Sequence, residues 1–321
     1  MRYSSLVAAS ALALAGYGTA LNILMNNDDG FGSGNLRELY KLLKANGHNV
    51  WIVAPATQQS GKGGSSEFTD QANLTANSQY DLIPAGAPSV GPDPVDSHIW
   101  YYNGTPAACT FVALDYVLPN FADFSTPDLV VTGPNYGTNL GNFVWTLSGT
   151  AGAAYSATAR GIPAIALSGS NKAVNYKDVN STSHPAYLVA ALSAKIVQGV
   201  IDSAAGASIL PLGYGLNVNF PPLSTNWSSL PVVQTRMTGN SEVDIAQAGA
   251  VPGTFTWGNI RPLAAGANVC LSGDCTLPDE TFVVASGKVA MSLYITDYSA
   301  PTNGFTRGLM QRFRQVTGCS S

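Results

Sequence analysis

The chain has 321 residues, of which 45% are hydrophobic, and this length suits one large domain or two smaller ones. Charged residues make up only 11% of the chain, and the formal net charge is −4. The sequence therefore offers no basic patch of the kind that binds duplex nucleic acid. An anionic substrate has to be attracted locally, by a metal ion or by backbone N–H groups.

The first 20 residues have the pattern of a secretory signal peptide. Arg2 gives a short positive start, residues 6–15 form an apolar run, and Gly18-Thr19-Ala20 supplies small residues at a cleavage site. An ordinary apolar first helix or strand is the alternative. The run is too short to span a membrane, and we find no other candidate span in the sequence. We therefore expect a secreted protein with no membrane partner.

Secretion permits disulfides and N-linked glycans. Cys270 and Cys275 bracket a short loop, and we expect them to pair with each other. We expect Cys109 to be either a buried free thiol or the partner of Cys319. Three sequons in polar loops are predicted glycosylation sites: Asn73, Asn180 and Asn226.

Predicted strands and helices alternate along the chain. An apolar run at residues 21–25 predicts a buried strand, and leucines at helical spacing over residues 34–46 predict a helix that Gly47 ends. Further strands are predicted at residues 50–54, 128–133 and 163–168, and further helices at residues 148–161 and 184–204. This alternation predicts a Rossmann-like α/β fold, in which helices cover both faces of a doubly wound, mostly parallel sheet.

Two stretches depart from the alternation. Residues 67–105 are polar with short alternating pieces, and we interpret them as a hairpin-like insertion. Residues 222–321 contain short strands, and we interpret them as a β-rich C-terminal extension that completes the domain begun at residue 21.

Four polar clusters follow predicted strands or open a helix. Asp28 and Asp29 end the first strand, Ser60 follows the second, and a loop rich in Asn and Gly follows the third. The fourth cluster, Ser148-Gly149-Thr150, opens a helix. Because ligands of parallel α/β sheets bind at the carboxyl ends of the strands, we expect these clusters to meet at one edge.

The residue types in these clusters indicate phosphoester chemistry. Two carboxylates at a buried strand tip need a cation, and oxygen ligands suit Mg²⁺, Mn²⁺ or Ca²⁺. A helix N-terminus offers free N–H groups to a phosphate. Tyr136, inside the Asn/Gly loop, is a candidate for stacking on a nucleobase. A glycosidase that uses Asp28 and Asp29 and a binding protein without turnover are the alternatives.

The ordered motifs resemble those of the SurE family of survival-protein phosphatases. They are Asn27-Asp28-Asp29-Gly30, Ala54-Pro55 with Ser60-Gly61, Gly104-Thr105-Pro106-Ala107, the Gly-rich loop at 133–141, Ser148-Gly149-Thr150, and the segments 161–168 and 216–221. Ala108 and Ser156 stand where the family has acidic residues, and these departures keep the binding-protein alternative open.

The resemblance implies a hydrolase, namely a metal-dependent phosphomonoesterase with 5′/3′-nucleotidase and acid phosphatase activity. It implies metal-activated water and a small phosphorylated substrate, a nucleoside monophosphate. It implies one divalent cation, held by Asp28, Asp29, Ser60 and Asn135, and it implies Asn139 and Ser148-Gly149-Thr150 near the phosphate. It also implies a homodimer formed through the C-terminal region. The sequence does not assign the roles of ligand, acid/base and nucleophile between the two aspartates.

Overall fold

The computed structural model describes residues 20–224, 226–237, 244–259 and 276–313. The predicted signal peptide, apart from Ala20, lies outside the described residues. So do Cys270, Cys275 and Cys319, and with them the predicted disulfide.

The described residues form strands and helices in this order: β1 Asn22–Asn26, α1 Gly34–Ala45, β2 Asn49–Pro55, β3 Val90–Asp93, β4 Asp96–Tyr102, α2 Pro106–Val112, α3 Leu118–Phe121, β5 Leu129–Tyr136, α4 Gly141–Leu147, α5 Gly149–Ala159, β6 Ala164–Gly169, α6 Pro185–Ala204, β7 Tyr214–Asn219, β8 Val232–Thr235, β9 Asp244–Ala248, β10 Phe255–Asn259, α7 Glu280–Ala285, β11 Val289–Ile295 and α8 Gly304–Gln311.

Nine of these strands form one sheet in the order β3-β4-β2-β1-β5-β6-β7-β11-β8. The six central strands, from β4 to β7, run parallel, whereas β3 and β11 are antiparallel to their inner neighbours. This arrangement confirms the predicted doubly wound, mostly parallel α/β sheet. Strand β2 lies on one side of β1 and β5 lies on the other, so the direction in which strands are added reverses at β1. Sheets of this kind bind ligands at the carboxyl end of the strands at such a switch point, which here is the tip of β1.

Successive residues of β1 pack against opposite layers of the molecule, because side chains alternate between the two faces of a strand. Ile23 and Met25 belong to one hydrophobic cluster with α1 and α6. Leu24 belongs to a second cluster with α2 and α5. Burial on both faces holds the tip of β1 rigidly, and the site is built on that tip.

Helix α6 is the one described helix that is long and apolar enough to span a membrane by length and composition. In this structure 56% of its apolar window is buried. Its buried residues belong to the cluster shared with α1 and the sheet. Its apolar character is therefore explained by its place in the core.

Two further segments extend the sheet. Residues 67–105 contribute the antiparallel pair β3 and β4, and β4 also pairs with β2, with Ile52 opposite Ile99. Beyond residue 221, β11 pairs with β7 and β8 pairs with β11. Strands β9 and β10 form a separate two-stranded sheet.

Candidate active site

The tip of β1 places two aspartates in the interior. Asp28 is 2% exposed and Asp29 is fully buried. The chain turns sharply after them at Gly30, which has φ of +91°. A side chain at Gly30 would overlap the amide of Gln79, so only glycine fits this turn.

Helix α5 fixes the carboxylate of Asp28. The hydroxyl of Thr150 donates to Oδ1 at 2.5 Å, and the backbone N–H of Gly149 donates to Oδ2 at 3.1 Å. Gly149 is the first residue of α5, so the positive end of the helix dipole also favours the carboxylate. The start of α5, which we predicted to contact a phosphate, therefore binds the carboxylate of Asp28.

Asp29 is held on the other side of the tip, by β5. Its Oδ2 accepts a hydrogen bond from the backbone N–H of Tyr136 at 3.0 Å. Its Oδ1 is buried and has no hydrogen-bond partner, and the same holds for Oδ1 of Asn135 and of Asn27. Buried polar atoms are nearly always paired in native proteins. The unpaired oxygens of Asn27 and Asp29, which follow β1, and of Asn135 in β5 therefore indicate that these atoms take a donor or a cation.

A bulge in β5 precedes Asn135, whose backbone neighbour Tyr136 binds Asp29. Between Thr132 and Asn135 the pairing with β6 shifts register, so that β5 carries one extra residue. We predicted that the third strand ends at Gly133, and this was wrong. The strand continues to Tyr136 because the bulge absorbs Gly133 and Pro134.

The electrostatics of the two aspartates are unfavourable without a cation. Burial is the main cause that raises the pKa of Asp28, and hydrogen bonds from Thr150 and Gly149 oppose it. Burial and then the charge of Asp28 raise the pKa of Asp29 well above its usual range. Two adjacent buried carboxylates thus retain a proton more readily than free ones do.

Ser60 lies in an exposed loop after β2, and its hydroxyl accepts a hydrogen bond from the Gln58 amide. The same Gln58 amide donates to the hydroxyl of Tyr136 at 3.0 Å. The loop is tied to the site because the N–H of Gln59 donates to the backbone oxygen of Asp28 at 2.7 Å. Ser60 is therefore near the tip of β1 but outside the set of buried unpaired oxygens.

The other predicted phosphate residues already have partners. Ser148 caps α5 by accepting from the N–H of Ala151 at 3.1 Å. The side-chain amide of Asn139 is buried and donates to Ser168 Oγ at 2.8 Å. Contact of Asn139 or Ser148-Gly149-Thr150 with phosphate therefore stays a prediction.

Glu280 is a residue near this site that we did not predict. It opens α7 in the C-terminal extension, is 1% exposed, and accepts from the N–H of Gly141 and the amide of Asn217, each at 2.9 Å. Burial is the main cause that raises its pKa to about 7. The same Asn217 amide donates to the backbone oxygen of Asn139 at 3.2 Å. Glu280 thus ties the extension to the Asn/Gly loop.

The donor set fits a hard divalent cation. Within the described residues, no group of three or more His, Cys, Asp or Glu side chains is placed to hold a metal. The β1 tip instead offers two carboxylates and the unpaired amide oxygen of Asn135. Carboxylate and amide oxygens with water are the ligand set of Mg²⁺, Mn²⁺ and Ca²⁺.

The predicted glycosylation sites lie at the surface. Asn73, Asn180 and Asn226 are all exposed, which an acceptor asparagine requires. Cys109 is a buried free thiol, and burial raises its pKa well above the usual range. A buried neutral thiol is unreactive, so Cys109 acts as a small apolar residue in the core.

Comparison with known proteins gives consistent matches. The family model described as survival protein SurE matches residues 23–244. An acid phosphatase of Yarrowia lipolytica is 42% identical over 292 residues, which cover 87% of this chain and 80% of that protein. The 5′-nucleotidase SurE 2 of Chlamydia caviae is 34% identical over 216 residues, which cover 67% of this chain and 66% of that protein. A crystal structure of the SurE protein from Aquifex aeolicus shares the fold, with a TM-score of 0.61 and 22% identity over 92% of this chain and 99% of that chain.

Proposed function

This chain belongs to the SurE family, and we propose that it is a divalent-metal-dependent phosphomonoesterase acting on nucleoside 5′- or 3′-monophosphates and other phosphomonoesters. Two relatives carry the names acid phosphatase and 5′-nucleotidase, which supports hydrolysis of phosphomonoesters. The observation that carries the metal dependence is the set of buried, unpaired oxygens of Asp29 and Asn135 beside Asp28.

We assign Asp28, Asp29, Asn135 and Ser60 to the cation. Asp28 and Asp29 supply the negative charge, and Asn135 supplies a neutral oxygen. Ser60 joins them when its hydroxyl exchanges the hydrogen bond from Gln58 for the ion. When bound, a divalent cation lowers the pKa of water and neutralises charge on phosphoryl oxygens.

The protein's own groups orient the reaction. Thr150 and Gly149 hold the Asp28 carboxylate in one rotamer through two hydrogen bonds. The N–H of Tyr136 holds Asp29 through Oδ2, which leaves Oδ1 for the cation. Asn139 and the start of α5 are the proposed contacts for the phosphate.

The remaining properties are proposals of the same kind. We propose that the mature protein is secreted, carries the Cys270–Cys275 disulfide, and is glycosylated at Asn73, Asn180 and Asn226. Exposure of the three asparagines supports the last point. We also propose a homodimer formed through the C-terminal region.

A glycosidase is a poor fit for this site. Those enzymes place two carboxyl groups roughly 5–9 Å apart on opposite sides of a sugar. Asp28 and Asp29 are adjacent in the chain, and the charge of one raises the pKa of the other. Among the described residues, no third acidic side chain completes a cluster with them.

The test is release of phosphate from AMP and p-nitrophenyl phosphate, with EDTA and after addition of Mn²⁺ or Mg²⁺. We expect EDTA to abolish release and Asp28→Asn to lower it roughly 100-fold or more. Asp115→Asn is the matched control, because Asp115 is a surface residue with a side chain 56% exposed. Folded protein that releases no phosphate with any metal would instead be a binding protein.

A further inference from the structure

Strand β7 carries two buried asparagines in the interior of the molecule. Leu216 and Val218 belong to the hydrophobic cluster shared with α1 and α6. Asn217 and Asn219 alternate with them and therefore point to the opposite face, where both side chains are fully buried. Burying an amide group costs free energy unless the group is hydrogen-bonded. The partners of these two asparagines therefore indicate what they hold in place.

Both asparagines hold the backbone of Asn139, in the connection between β5 and α4. The Asn219 side chain accepts from the N–H of Asn139 at 2.7 Å and donates to its backbone oxygen at 3.1 Å. The amide of Asn217 donates to the same oxygen at 3.2 Å. Two side chains of one buried strand thus fix the backbone of a residue that belongs to no helix or strand.

The side chain of Asn139 is fixed as well. It donates to Oγ of Ser168 at 2.8 Å, and Ser168 lies opposite Asn219 on the neighbouring strand β6. An asparagine amide has two N–H donors, and Ser168 is the one partner of this amide among the described residues. The second donor is available for a phosphate oxygen. A donor that is fixed before a ligand arrives loses little conformational entropy on binding.

Glu280 holds the same loop from the C-terminal extension. Its two carboxyl oxygens accept from the amide of Asn217 and from the N–H of Gly141, each at 2.9 Å. Ser292, which lies opposite Asn217 on β11, is a further hydrogen-bond partner of the carboxyl. Glu280 therefore contacts both a residue that holds Asn139 and the loop that follows Asn139.

We propose that Asn217, Asn219 and Glu280 are positioning residues, which hold the side chain of Asn139 where it binds the phosphate group of the substrate. They act through the backbone of residues 139–141 and do not touch the substrate themselves. Because Glu280 begins α7, the C-terminal extension completes the phosphate site of the core. The proposal rests on the proposed phosphomonoesterase for the contact between Asn139 and phosphate.

The experiment compares wild type with Glu280→Ala, Asn217→Ala and the double variant. Glu280→Gln retains the size of the side chain and one acceptor oxygen, so it covers the case in which Glu280→Ala fails to fold. Phe282→Ala is the matched control in the same helix, since Phe282 is 65% exposed. Calorimetry gives the dissociation constant of Mn²⁺ and then, with Mn²⁺ bound, that of inorganic phosphate. Hydrogen exchange reports opening of the backbone at residues 139–141.

We expect Glu280→Ala and Asn217→Ala each to weaken phosphate binding about tenfold, as loss of a residue that orients a binding group does. The N–H groups of Asn139 and Gly141 should exchange faster, while Mn²⁺ binds as tightly as in wild type. Because both residues act on one loop, the loss in the double variant should be smaller than the product of the two single losses. Glu280→Gln should lie between wild type and Glu280→Ala, and Phe282→Ala should match wild type.

Two results would overturn the positioning role. One is phosphate affinity in Glu280→Gln and Asn217→Ala equal to that of wild type. The other is a loss of Mn²⁺ affinity as large as the loss of phosphate affinity, which indicates a general loss of structure. Hydrolysis of p-nitrophenyl phosphate is measured on the same proteins. Hydrolysis with the same KM in wild type and variants would refute the positioning role alone, whereas phosphate binding that depends on Glu280 without any hydrolysis would refute the proposed function alone.

Discussion

Gly149→Ala tests the contact between α5 and Asp28. A β-carbon at Gly149 would lie 2.7 Å from Cβ of Asp28, 2.9 Å from Cγ of Pro106 and 3.0 Å from Oδ2 of Asp28. None of these atoms can easily retreat, because Asp28 is held by two hydrogen bonds and Pro106 opens α2. The added methyl group must therefore displace the carboxylate or the start of α5.

The expected size follows from two opposing effects. Overpacking of a close-packed interior costs about 1–3 kcal/mol, whereas replacing a helical glycine with alanine gains up to about 1 kcal/mol. We expect Gly149→Ala to lower the free energy of unfolding by about 1–2 kcal/mol. Because the displaced group is Asp28, phosphate release should fall roughly 100-fold, as small misplacements at a reacting centre do.

The matched control is Gly199→Ala, within α6. Gly199 is exposed, and a β-carbon there would meet no atom within 4 Å, so only the helix-propensity gain applies. Urea unfolding should show Gly199→Ala to be as stable as wild type or more stable, with full activity. If Gly149→Ala matched Gly199→Ala in both measurements, the close approach of α5 to Asp28 would not matter to the site.

Three further predictions concern charge and loop position. Asp29→Asn removes a buried carboxylate, so it should raise the melting temperature of EDTA-treated protein. The same change should abolish the rise in melting temperature that Mn²⁺ causes in wild type. An Mn²⁺-induced rise equal to that of wild type would contradict the assignment of Asp29 as a ligand. A β-carbon at Gly152 would overlap the backbone oxygen of Gly63, so Gly152→Ala should shift the loop that carries Ser60. The Mn²⁺ concentration for half-maximal activity should then rise roughly tenfold. An unchanged concentration would show that the position of this loop does not affect metal binding. Burial raises the pKa of Glu280 from 4.5 to about 7, so its contribution to stability is full below about pH 4.5 and is lost as pH rises through 7. Between pH 5 and pH 7, urea unfolding should therefore show a loss of stability that is smaller by roughly 2 kcal/mol in Glu280→Gln than in wild type. An equal loss in the two proteins would exclude this role.

Local signals in the sequence were enough for the sheet and for the tip of β1. An apolar run before Asp28 and Asp29 predicts a buried strand, and glycines and prolines mark most element ends. The first helix was predicted over residues 34–46 and is observed at Gly34–Ala45. In these places the local preference and the final packing agree.

The contacts of the site could not be predicted in the same way. The bond from Gly149 to Asp28 joins residues 121 positions apart, so no local pattern shows that the carboxylate takes the N–H group of α5. Glu280 is the first residue of a short helix, where an acidic residue is ordinary. Its burial follows only from the packing of α7 on the extended sheet.

The most direct test of the central claim is a metal titration of EDTA-treated protein, in which bound Mn²⁺ and phosphate release from AMP are measured on the same samples. The site at the tip of β1 predicts that both saturate together at one ion per chain, and that Asp28→Asn and Asp29→Asn lose both. Two results would contradict the assignment of the metal to these two aspartates. One is full phosphate release before any Mn²⁺ is bound, and the other is one tightly bound ion that remains in both variants.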